Sequence, residues 1–179
     1  MITTEELLLA ARLPLLELGQ RANANAIRET THADRTYFCA HPAPALELTL
    51  PSSATIEEIV AHVLAHPQSP ISVEPSIVAA QGDTTGEAEI RLIALARLAF
   101  PPTTHIRAHW TRLSDAIAQV ALRFGADELT GFPPHLDRRE ILRAIHEAGR
   151  EPYPCNAAYA PITLPESGPR LNVLPVTTK

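Results

Sequence analysis

His105-Ile-Arg-Ala-His109 sets two imidazoles and a guanidinium at alternate positions. On a strand, alternate side chains share a face, so His105, Arg107 and His109 are predicted to point the same way. The two histidines would stand ~13 Å apart along it, too far to share a metal ion. Together the three predict a cationic, hydrogen-bonding wall suited to carboxylate or phosphate. Asp127, Glu128 and Thr130 end the last, very short strand-like run. Carboxylates there suit orientation of a ribose or acid–base work, and equally suit capping of the next helix. Glu74, ending an earlier strand, carries the same double reading. His62 and His66 lie four apart with Glu58 a turn earlier, a helical spacing that can clamp a metal. That face is opposite the apolar stripe of its helix, so we read it as solvated surface and expect no metal. Cys39 and His41 lack the oriented geometry of a nucleophile and its base, and Cys155 falls in a proline-rich stretch. The chain has no Gly-rich phosphate loop, nucleophile elbow or zinc signature.

Strands alternating with helices must position these groups. Thr3-Thr-Glu-Glu6 is a capping box that opens a leading helix predicted over 3–28, bent at Pro14. Residues 32–44 read as a linker. Ala45 to Leu50 then alternates as a strand. Thr55 to Glu58 caps a helix with an apolar stripe at Ile56, Ile59, Val60, Val63 and Leu64. Pro70 to Glu74 is a second strand, followed by a turn at Gly82-Asp83 and a helix from Glu87 to Phe100 that Pro101-Pro102 stops. A third strand covers Thr104 to Trp110, with Ser114 as cap of a helix to Phe124 and Gly125 as its terminator. Ala126 to Leu129 is a fourth, and Asp137 to Glu140 caps a helix ending at Gly149. Four consecutive strand–helix units over 45–149 imply an α/β fold with a parallel sheet. A single domain is predicted over 1–150, with 151–179 as an extended, proline-rich tail.

The bulk composition narrows the class. A chain of 179 residues with 45% hydrophobic and 20% charged residues is long enough to bury one core. A net charge of -5, with Lys179 as its one lysine and no basic run, argues against nucleic acid or a membrane surface as partner. The apolar stretch Leu7 to Leu18 follows two glutamates and is broken by Arg12 and Pro14, unlike a secretory signal, and it is too short for a membrane span. A cytoplasmic protein is expected.

Several segments then resemble one family in order. His105-Ile-Arg-Ala-His-Trp110, Gly125-Ala-Asp-Glu-Leu-Thr-Gly131 and Glu147-Ala-Gly-Arg-Glu-Pro152 are similar to the closing part of radical S-adenosylmethionine (SAM) enzymes. The resemblance is to those of the futalosine route to menaquinone and of deazaflavin synthesis. Arg97-Leu98, Ala118 to Leu122, the helix from Thr3 to Arg28 and His32-Ala-Asp-Arg35 add to it. It implies a (βα)4 half of a TIM-type barrel. Such enzymes hold a [4Fe–4S] cluster on C-x3-C-x2-C, whereas Cys39 and Cys155 are the two cysteines here. The resemblance therefore implies no cluster in this chain, no parent activity, and loss of the half that carries most SAM contacts.

Half a barrel leaves two sheet edges and a face to cover. A homodimer, or a complex with a full-length relative, is expected to cover them; the leading helix and tail are the other candidates. The function implied is an accessory or small-molecule-binding protein for a nucleoside-like or aromatic-acid ligand. The alternatives are an enzyme with non-radical chemistry at the strand ends and a purely structural interaction module.

Overall fold

The computed structural model describes residues 2–29, 34–39, 42–66, 70–78, 86–133 and 136–163. The expected turn at Gly82-Asp83, His41, and the tail beyond 163 lie outside these residues.

Two helices open the chain where one was expected. α1 spans Thr4–Ala11 and α2 spans Leu15–Glu29. The Thr3 hydroxyl accepts from the Glu6 amide at 3.2 Å, while the Glu6 carboxylate accepts from the Thr3 amide at 2.8 Å. Pro14, lacking an amide, separates the two helices. Next come β1 (Arg35–Phe38), β2 (Leu46–Pro51), α3 (Ile56–Ala65), β3 (Ser72–Val78) and α4 (Glu87–Ala99). They are followed by β4 (His105–His109), α5 (Trp110–Leu113), α6 (Asp115–Ala121) and a 3-10 turn (Leu122–Phe124). The chain continues with β5 (Glu128–Thr130), α7 (Arg138–Glu147) and β6 (Glu151–Pro154). Thr55 and Asp137 form reciprocal capping boxes, as their spacing predicts. Ser114 does not cap α6: its φ is 69° and its side chain makes no cap bond.

Among the described residues the sheet has six strands, where four were expected, in the order β2-β3-β4-β5-β1-β6, and every adjacent pair is parallel. β1 comes from the expected linker and β6 from the expected tail. Both are four residues long and carry little alternation, so their identity as strands depends on pairing. The domain therefore extends past residue 150.

One face of the sheet is apolar: Leu48, Val73, Ile106, Ala108 and Leu129 are all fully buried. α4 lies between this side and α1 and α2, which explains why every residue from Leu92 to Ala99 is buried. Gly19 lets α2 approach closely, since a Cβ there would strike the Phe124 ring. The opposite face is polar, and it holds most of the residues singled out above.

Candidate functional site

Strand register builds the polar face. Arg107 stands opposite Glu128, His109 opposite Thr130, Ser72 opposite His105, and Glu47 opposite Glu74. Alternation on β4 does turn His105, Arg107 and His109 to one side. The neighbouring strands then supply carboxylates directly beside the arginine.

Arg107 is 3% exposed and donates to Glu128 Oε1 at 2.8 Å, to the Ala43 carbonyl at 2.9 Å, and to Glu74 Oε2 at 3.5 Å. Glu128, fully buried, also accepts from Ser72 Oγ at 2.8 Å and from the Tyr159 hydroxyl at 3.0 Å. Arg112, on the turn of helix after β4, donates to Glu74 Oε1 at 2.6 Å and lies 4.0 Å from Glu47. Two guanidiniums thus alternate with Glu74 and Glu128. This cluster is electrically balanced, not the open cationic wall expected from β4 alone. Among the described residues the Arg107 Nε and Thr130 Oγ1 atoms are buried without a partner.

Asp127 belongs elsewhere. It precedes β5, at the N-terminal end of the strand, instead of ending it. Its carboxylate accepts from Arg97 Nη2 at 2.7 Å and from the Ile106 amide at 2.7 Å, and it lies 2.9 Å from His105 Nδ1. Burial works to raise its pKa, but Arg97, His105 and the amide outweigh that and hold it below the ordinary carboxylate range. Arg97 also ties the Gly125 and Thr104 carbonyls. Asp127 and His105 therefore clamp α4 to the sheet, a fold-holding job at the N-terminal strand ends.

The chain's own closing segment covers the middle of the polar face. The Tyr159 ring stacks on His105 at 3.9 Å and 15°, and Tyr37 meets His105, Tyr153 and Tyr159 edge-on. Tyr159 has φ 57°, in the left-handed region, on a turn tied by Asn156 Oδ1 accepting from the Ala158 and Ala160 amides. Burial and Glu128 push its phenol well above the usual tyrosine range. Tyr37 is likewise pushed up to about 12, chiefly by burial and then by Asp127.

An open cleft of about 450 Å³ lies at the other end, beside the C-terminal ends of β2, β3 and β4. Glu47, Glu89, His109 and Arg112 give it polar groups, and Pro75, Ile77, Val78 and Leu113 an apolar wall. Burial holds His109 more neutral than free histidine, against the pull of Glu74. Sequence reasoning missed Arg112, Glu47, Glu89 and Tyr159. Arg112 had one usable signal, its place just past a strand end, where barrel loops carry chemistry.

His62 and His66 meet edge-on at 4.8 Å, and burial followed by the His66 charge lowers the His62 pKa. Among the described residues no group of three or more His, Cys, Asp or Glu is arranged to hold a metal. No described helix is long and apolar enough to cross a membrane.

The fold and site define an α/β protein whose parallel sheet buries a carboxylate–guanidinium cluster and opens a mixed polar cleft at its strand ends. Residues 73–168 match the model of the family described as the CofH/MqnC C-terminal region. The chain belongs to that family. It is similar to aminodeoxyfutalosine synthase of Thermus thermophilus, 33% identical over 90 residues, covering 42% of this chain and 24% of that one. The enzyme of the same name from Streptomyces coelicolor is 29% identical over 90 residues, covering 42% and 23%. The chain thus spans about a quarter of the length of the curated relatives it matches.

Proposed function

We propose that this chain binds a small molecule, nucleoside-like or an aromatic acid, at the cleft beside β2, β3 and β4. It acts as an accessory in the menaquinone chemistry that the similar synthases serve. The single observation that carries this is the cleft itself, with Arg112 half-exposed at its wall and anchored by the buried Glu74. An apolar wall with a few convergent polar groups suits a planar body bearing an anionic and a hydrogen-bonding group. Arg107 and Glu128 position Glu74 and Arg112 and do not meet the ligand.

The residues of this chain do not fit the [4Fe–4S] cluster that the family implies. Such a cluster takes three or more thiolates, and the chain has two cysteines, both buried. The proposed role is therefore one without a cluster of the chain's own.

The strand order supports reading the sheet as an arc of a TIM-type barrel. β1 lies beside β5, as the first strand of a closed barrel lies beside the last. A homodimer or a complex with a full-length relative would have to pair through the β2 edge, because the β6 edge is blocked by its own prolines.

Calorimetric titration with aminodeoxyfutalosine-type nucleosides and aromatic acids tests the reading. At least one should bind, and Arg112→Ala should weaken it tenfold or more. Absence of binding at millimolar concentration, or an unchanged affinity in Arg112→Ala, would overturn it. One observation favours a second reading, an enzyme with non-radical chemistry: His109 lines the cleft, and burial lowers its pKa below that of free histidine. Turnover of a bound ligand that His109→Gln abolishes would establish that reading instead.

A further inference from the structure

Cys39 and Cys155, remote in sequence, meet in the fold. β1 and β6 pair in parallel with Phe38 opposite Pro154, so the next residues on each strand, Cys39 and Cys155, stand opposite one another. The Cys155 amide donates to the Phe38 carbonyl at 3.2 Å, which carries the pairing to this position. Neighbouring strands lie ~4.8 Å apart, inside the ~4.4–6.8 Å Cα span that a disulfide bridges. Neither cysteine is disulfide-bonded, and both are buried, 3% and 1% exposed, in a small cluster of their own with Tyr37, Tyr153 and Tyr159. Nothing in the ligand-binding reading uses them.

We infer that Cys39 and Cys155 form a redox site, a dithiol that closes to a disulfide and staples β6, with the Tyr159 turn, onto the sheet. Cys155 begins the segment that returns through Asn156 and Tyr159 to Pro161, with which it makes an antiparallel bridge. A bond to Cys39 fixes the root of that segment and so holds Tyr159 over His105 and Glu128. The oxidant class is a low-molecular-weight disulfide. One cysteine thiolate attacks it, forming a mixed disulfide and expelling one small thiolate. The second cysteine then attacks the protein sulfur and expels the other. The two protein thiols are oxidised, the small disulfide is reduced to two thiols, and the cysteine protons pass to the leaving thiolates. The reduced form is protected: both sulfurs are buried, and the hydrogen bond with Cys39 followed by burial pushes the Cys155 pKa far up. Reaction therefore requires transient opening of the β6 edge.

The test uses the full chain refolded from urea in oxidised glutathione, so that access to the thiols does not limit reaction. Alkylation and intact mass should show both thiols lost together, no retained glutathione, and a monomeric product. Its Tm should rise by roughly 5–10 °C, and dithiothreitol should reverse the shift. Cys39→Ser and Cys155→Ser should each show no such rise under the same treatment. Stable glutathione adducts, disulfide-linked dimers, persistently free thiols, or an equal rise in either single variant would overturn the assignment.

Discussion

Asp127 shows how one carboxylate can look functional and hold the fold instead. It answers Arg97, which is 2% exposed, so removing it leaves a buried guanidinium without its charge partner. Asp127→Ala should cost about 3–5 kcal/mol in urea denaturation at pH 7. Because the native pKa is depressed, the unfolded chain takes up the proton first as pH falls. The stabilisation is complete above the unfolded value of about 4 and is lost as pH drops through the native one. Stability curves of the wild type and the variant should therefore converge in acid; parallel curves would contradict the assigned pairing. Alternation alone revealed that His105, Arg107 and His109 share a face. It did not reveal that Glu74 and Glu128 neutralise Arg107, because those partners arrive through the register of two other strands.

At the scale of elements, capping boxes at Thr3, Thr55 and Asp137 were legible because each is closed within three residues. β1 and β6 were not. In β6 the prolines resembled a tail, yet they mark an edge strand. The Glu151 and Cys155 amides donate towards β1, so positions 152 and 154 face outward, where proline offers no donor. The Pro154 carbonyl is itself taken by the Ile162 amide at 3.0 Å. This is a sheet edge sealed against further pairing. Replacing both Pro152 and Pro154 with alanine should restore two donors and promote self-association, measured by sedimentation velocity. An unchanged monomer fraction across concentration would show that the returning segment alone seals the edge.

For the molecule as a whole, residues 151–163 complete the domain and do not trail from it. They supply the sixth strand, the Tyr159 hydroxyl for Glu128, and the cover over Cys39. A chain ended at Arg150, the boundary the sequence suggested, should lose roughly 10 °C or more in Tm, or its cooperative transition altogether. Retention of the full Tm would mean that the sheet is stable with β1 as its edge. By itself the sequence determined what neighbours along the chain decide: helix caps, the apolar stripe of α3, the common face of β4, and the family motifs. Tertiary structure decided which strands sit side by side, and with that which charges cancel, where the cleft opens, and that Cys39 meets Cys155. Local interactions are encoded within a few residues. Sheet order joins segments more than a hundred residues apart, and only their combined burial selects it.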